Sequence, residues 1–147
     1  LEKVHEYFEL NKKSPYMLLV SPVKKSRQLP TKYTKTDDMI EIVNQVRSDI
    51  PAVTHVDYSA RIQTVHEETN LKYYNLIQKF KKITGCPILV NTSFNIRGEP
   101  IVCNVHDAFR CFMGTNLDML VCENFVLYKE EQNIKLKEDY KNKIKLD

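Results

Sequence analysis

Asn91-Thr92-Ser93-Phe94-Asn95-Ile96-Arg97-Gly98-Glu99-Pro100 puts amide, hydroxyl and guanidinium groups within a few residues of one another. Asn91 can donate to and accept from a planar carbamoyl-type group. The hydroxyls of Thr92 and Ser93, with their backbone N–H groups, can form a nest for an anion. Arg97 carries a fork that fits phosphate, and Gly98 lets backbone approach a ligand closely. The same residues also suit an Asx or Ser/Thr turn carrying a surface arginine, and both readings stand on residue types alone.

Arg61 is a second candidate, between Ser59 and Gln63. On a strand it shares a face with Gln63 and could offer a guanidinium to an anion on the sheet. An edge-strand arginine paired with a carboxylate is the more frequent arrangement. His55 and Asp57 share a strand face, but two ligands without a third nearby do not make a metal site. A histidine hydrogen-bonded within the fold is favoured there. Cys103 and His106 imitate a thiol–imidazole pair, yet Cys103 follows Ile101-Val102 and is expected in the core. The stretch Lys24–Lys35 holds five basic residues and no acid. It reads as a surface loop, with contact to a polyanion as the lesser alternative.

The elements that must carry these groups follow from periodicity and punctuation. Residues 1–11 show Leu1, Val4, Tyr7 and Phe8 at helical spacing, broken at Ser14-Pro15. Tyr16–Val20 reads as a central strand ended by Pro22. Thr36 is placed to cap a helix to about Val46, with Met39, Ile40, Val43 and Val46 on one face. Val53–Val65 reads as two strands joined at Asp57-Tyr58, with Ala60, Ile62 and Thr64 on one face and Arg61, Gln63 and Val65 on the other. Asn70 begins a helix lined by Tyr73, Ile77, Phe80 and Thr84, and Gly85 ends it. Lys79, Lys81 and Lys82 then fall on its solvated side. Ile88-Leu89-Val90 reads as a buried strand, which would put the Asn91–Pro100 stretch beyond a strand's carboxyl end, where α/β sheets bind ligands. Asn104 can cap a further helix with Asp107 three residues on, its apolar face made by Ala108, Phe109, Phe112 and Met113 and its end by Gly114. Leu117–Val121 and Phe125–Tyr128 are the last strands, and a Lys/Glu-rich tail follows. Helices alternating with strands give an α/β class with a mixed sheet.

Length and composition bound the function. A chain of 147 residues makes one compact domain. No apolar run approaches the roughly 18 residues that cross a bilayer, and the charged opening is not a signal peptide. A net charge of +3 with mixed signs suits anionic metabolites better than nucleic acid. Four cysteines without a C-x-x-C pair, each among apolar neighbours, read as buried free thiols in a cytoplasmic setting. The chain does not open on methionine, and it is expected to be a piece of a longer protein.

Three segments carry a resemblance: Ile50-Pro51-Ala52-Val53-Thr54-His55-Val56-Asp57, Ser59-Ala60-Arg61-Ile62-Gln63-Thr64-Val65, and Pro87 through Val102 with its Asn-Thr-Ser-Phe-Asn-x-Arg-Gly-Glu-Pro block. Together with Ser14-Pro15-Tyr16-Met17 and Asp107-Ala108-Phe109-Arg110-Cys111-Phe112, they resemble the C-terminal region of the nodulation and antibiotic-biosynthesis ATP-dependent O-carbamoyltransferases, in order from about residue 7 to residue 129. The resemblance implies a YrdC-like α/β domain over 1–129, incomplete at its N-terminus, with 130–147 as a charged tail. It implies that such a domain makes carbamoyladenylate from carbamoyl phosphate and ATP with Mg. An N-terminal actin-like domain of the same polypeptide would then transfer the carbamoyl group to an acceptor hydroxyl. Arg61, Asn91 and Ser93 are the expected catalytic positions, and Thr92 and Arg97 the accompanying ligand contacts. No metal site is expected here; iron or another metal belongs to the N-terminal domain. A basic block and the metal ligands of the family fall ahead of Leu1, so the isolated chain is expected to be inactive. The rival expectations are a non-catalytic nucleic-acid-binding module and a purely structural module of a larger protein.

Overall fold

The computed structural model describes residues 2–32 and 38–136. They form two compact units, Leu1–Val90 and Asn91–Asp147, each with its own packing. The class is mixed α/β, with the strands paired as two antiparallel ribbons.

In the first unit a short helix, α1 (Val4–Tyr7), leads into β1 (Leu19–Pro22), α2 (Met39–Asn44), β2 (Ser59–Ile62) and α3 (Leu71–Thr84). Helix α1 stops well before residue 11 because Phe8 turns extended and bridges to Val23, while Glu9 N–H and Lys24 N–H reach Pro22 O and Tyr7 O. Strands β1 and β2 pair with Val20 opposite Arg61 and Ser21 opposite Ala60. Their alternation is that expected of a half-buried ribbon: Ala60 and Ile62 enter the core and Arg61 faces out. The core joins Tyr7, Phe8, Leu10, Val23, Ile50, Ala60 and Ile62, with Cys86 and Ile88 packed against it.

Several sequence expectations are corrected here. The first strand begins at Leu19 rather than Tyr16, and Tyr16 and Leu18 are exposed. Val53 belongs to a 3₁₀ turn, Pro51–Val53, so the stretch to Val65 holds one strand rather than two. Helix α2 is capped by Asp38, whose side chain accepts from Ile40 N–H; Thr36 lies outside the described residues. It ends at Asn44, and its expected apolar face, Met39, Ile40, Val43 and Val46, is exposed. Helix α3 follows its expectation: Asn70 accepts from Tyr73 N–H, and Gly85 closes the helix at φ +79° with its N–H on Lys81 O. Of the expected face Tyr73, Ile77 and Phe80 are half-buried and Thr84 is exposed; Lys79 and Lys82 are exposed, and Lys81, expected on the solvated side, is half-buried. Ile88–Val90 forms no strand, since it pairs with no neighbour and Pro87 lacks an N–H for a ladder.

The second unit holds α4 (Val105–Gly114), β3 (Met119–Cys122) and β4 (Phe125–Tyr128). Asn104 Oδ1 accepts from Asp107 N–H, the cap foreseen from sequence, while Asn104 Nδ2, rather than the backbone N–H of a full capping box, donates to Asp107 Oδ2. Ala108, Cys111, Phe112 and Met113 form its buried face against β3, with Phe109 half-buried at the edge. Strands β3 and β4 make a hairpin with Cys122 opposite Phe125, turning through Glu123-Asn124 with Glu123 at φ +52°. Lys129 Nζ crosses to the helix end, donating to Phe112 O and to Thr115 O (2.9 Å) while lying over the Phe112 ring. Two 3₁₀ turns, Lys129–Glu131 and Ile134–Leu136, follow, and the rest of the tail lies outside the described residues.

Candidate functional site

Arg61 sits on the exposed face of β2 because Ala60 and Ile62, its chain neighbours, must fill the core and the strand alternates. Its Nε–H donates to Met17 O at 2.7 Å. Two residues on, Gln63 Nε2 donates to Pro15 O at 2.9 Å. Both side chains of this face therefore reach the Pro15–Met17 segment. The carboxylate partner of the alternative reading is not found among the described residues; the tether is a carbonyl. A guanidinium held through Nε keeps both terminal nitrogens on its far edge, the edge that grips phosphate in a bidentate way.

The second group of residues lies on the other unit. After Asn91, Thr92 and Ser93, all exposed, the chain closes a loop in which Val102 N–H donates to Phe94 O (2.9 Å). Inside it, Glu99 N–H donates to Ile96 O (3.0 Å), so Ile96-Arg97-Gly98-Glu99 is a β-turn. Gly98 has φ +88° at the third position, the left-handed conformation that a type II turn requires there. Arg97 therefore stands exposed at the turn's tip. Asn95 braces the turn from within, donating to Glu99 O (2.9 Å) and Ile96 O (3.2 Å).

Asn95, a residue that sequence reasoning had left without a role, thus braces the turn as a donor to two carbonyls rather than as the acceptor of an Asx turn. Asn91, Thr92 and Ser93 precede the braced turn and keep their polar groups at the surface. The structure brings Asn91, Thr92, Ser93 and Arg97 together on one loop, and it places Arg61 on the first unit. The loop does not extend a sheet strand, so its local order comes from its own hydrogen bonds.

The other sequence candidates resolve into structural roles. His55 Nδ1 lies 3.0 Å from Ser59 Oγ. Asp57 accepts from Ser59 N–H (3.0 Å) and from Ser59 Oγ (2.6 Å). The Ser59 hydroxyl, then its N–H, hold the Asp57 carboxyl below the usual range. These bonds fix a turn in which Tyr58 adopts φ +63°. Among the described residues no group of three His, Cys, Asp or Glu side chains could hold a metal ion. Cys103 is exposed, not in the core, and its thiol donates to Ile101 O (3.2 Å). Cys111 is the buried thiol, and burial pushes its pKa up. In the basic loop, Arg27 is used internally: it covers the Tyr7 ring, donates to Glu6 O and pairs with Asp49. No helix among the described residues is long and apolar enough to cross a membrane.

Comparison with known proteins follows the same residues. The family model "Carbamoyltransferase C-terminus" matches residues 1–129. The chain is 58% identical over 132 residues to the uncharacterised protein sll1178 of Synechocystis sp., covering 89% of this chain and 22% of that protein. It is 40% identical over 131 residues to the nodulation protein NolNO of Sinorhizobium fredii, covering 87% and 16%. It is 34% identical over 103 residues to the 3'-hydroxymethylcephem-O-carbamoyltransferase of Amycolatopsis lactamdurans, covering 70% and 15%. The chain thus spans less than a quarter of the length of these curated relatives.

Proposed function

The chain belongs to the carbamoyltransferase C-terminus family, and on that premise we propose that it supplies the carbamoyl-phosphate-handling surface of an ATP-dependent O-carbamoyltransferase. The observation that carries this reading is Arg61, tethered through Nε to Met17 O and exposed toward solvent, with no carboxylate partner among the described residues. A phosphate dianion is the ligand class that such an edge grips best. Asn91, Thr92 and Ser93 supply the amide and hydroxyl groups that fix the plane of a carbamoyl group, and Arg97 adds positive charge at the loop tip.

The chemistry assigned to the site is formation of carbamoyladenylate from carbamoyl phosphate and ATP. Inorganic phosphate leaves the one, pyrophosphate leaves the other, and one water is consumed. Orientation and charge stabilisation account for catalysis of this kind, and no protein nucleophile is needed. The exposed Arg97, at the tip of its loop, suits a phosphate of the nucleotide. Among the described residues no carboxylate cluster fits a divalent cation, and Mg would enter with the phosphates that carry it. An actin-like N-terminal domain of the same cytoplasmic polypeptide would hold the metal and the acceptor hydroxyl. The 1–129 region then works as its C-terminal partner, and the isolated chain does not turn over.

A thermal-shift titration with carbamoyl phosphate, with and without ATP and Mg, tests the reading. Saturation at about 100 times Kd stabilises by roughly 2.7 kcal/mol. In a chain of this size that is a rise of roughly 5–10 °C. The rise is expected in the wild type and lost in Arg61→Ala; a saturable rise that survives Arg61→Ala contradicts the assignment.

A further inference from the structure

A free arginine side chain samples many rotamers, and ordering it on a ligand weakens binding. Arg61 is ordered in advance, by a backbone carbonyl 44 residues earlier in the chain. That carbonyl belongs to Met17, in a segment that is not part of any helix or strand. What fixes the segment is a lock at its start. Thr64 N–H donates to Ser14 O (2.7 Å), and Ser14 N–H donates to Thr64 Oγ1 (2.8 Å). Ser14 Oγ reaches Ile62 O and Tyr16 O, each at 2.9 Å. Ser14 is 2% and Thr64 5% exposed. Thr64 Oγ1 also shares a hydrogen bond with the buried His66 Nε2 at 2.9 Å. Pro15 follows the lock and limits the backbone further, and Gln63 ties its carbonyl to the same strand.

We propose that Thr64, acting through Ser14, is a positioning residue for Arg61: the buried lock holds Met17 O against Arg61 Nε and so turns the terminal guanidinium nitrogens to the phosphate. Thr64 touches no ligand in this arrangement. It lies two residues beyond the end of β2, buried where Arg61 is exposed, and acts through the Ser14–Met17 segment. The inference rests on the carbamoyl-phosphate reading of Arg61.

The test is a double-mutant cycle, with carbamoyl phosphate titrated against the 147-residue chain. Thr64→Val keeps the shape and removes the hydroxyl, while Thr64→Ser restores it. With Arg61 present, Thr64→Val is expected to raise Kd about five- to tenfold, and Thr64→Ser to recover wild-type binding. In an Arg61→Lys background, which lacks the Nε donor, Thr64→Val is expected to change Kd by less than about twofold. An equal loss in both backgrounds, or no loss in either, overturns the proposal.

Side-chain NMR of the Arg61 Nε–H separates this inference from the reading beneath it. The resonance is expected to be protected from exchange in the wild type and exposed in Thr64→Val. Protection that survives Thr64→Val overturns the positioning role whether or not the ligand binds. A wild-type chain that shows the protected resonance and no saturable response to carbamoyl phosphate overturns the ligand reading, and the proposal with it. If Thr64→Val does not fold, Ser14→Ala takes its place with the same expectations.

Discussion

Arg47 is a charged side chain, 2% exposed, with no carboxylate beside it among the described residues. Its guanidinium donates instead to Val43 O (3.0 Å), Gln45 O (2.8 Å) and Ile42 O, the carbonyls that the end of α2 leaves open. Its Nε is buried without a partner. The charge is thus solvated by peptide dipoles, and the carbonyls depend on it in turn. Arg47→Ala takes the donor from three part-buried carbonyls and is expected to cost about 2–4 kcal/mol. Urea denaturation checks this, and a midpoint unchanged from wild type would show that the carbonyls find other donors. Arg61 is the contrasting case, an arginine with one nitrogen on a carbonyl and its other end exposed. The two differ in what surrounds them: one closes a helix end, and the other stands on the exposed face of a strand. Residue type alone did not separate them, and Arg47 drew no notice in the sequence because nothing in Gln45-Val46-Arg47-Ser48 marks a buried charge.

Elements with their own punctuation follow the sequence closely. Helices α3 and α4 begin at Asn70 and Asn104 as their side-chain caps dictate, and α3 closes at Gly85. No atom lies within 4 Å of a Cβ built on Gly85, while its φ is +79°. The cost of Gly85→Ala is therefore backbone strain without a clash, about 1–2 kcal/mol. A matching fall in Tm is expected, and a neutral substitution would mean that the helix ends differently. Elements whose extent depends on partners were less legible. Ile88-Leu89-Val90 has the composition of a strand but no strand beside it, and Ile88 is used to pack the first core. Phe8 has the spacing of a helix position and is drawn into a bridge with Val23. In both, tertiary pairing outweighs local pattern.

At the scale of the whole molecule, each unit keeps its own buried set, and the thiols report on them separately. Cys111 is 3% exposed in the core of the second unit, and burial raises its pKa, so it holds little thiolate and little access. Cys103, exposed beside the candidate loop, has no such shielding. Ellman's reagent at mildly alkaline pH is therefore expected to label Cys103 rapidly and Cys111 only as fast as the second unit opens. Equal rates for the two would show that this core is not closed. These exposures correct the reading of all four cysteines as buried, which composition could not settle because Ile101, beside Cys103, is itself exposed.

The sequence by itself determined the family, the α/β class and the capped helices. Caps, glycine conformations and a long specific block are local properties, readable wherever they occur. Tertiary structure alone decided that Arg61 is steered by a carbonyl 44 residues away, that Asn95 braces the loop and that Ser14 and Thr64 lock a segment from inside the core. These are contacts between residues distant in sequence or between a side chain and a particular carbonyl. They exist only once packing has fixed which backbone groups stay out of a ladder and need a partner.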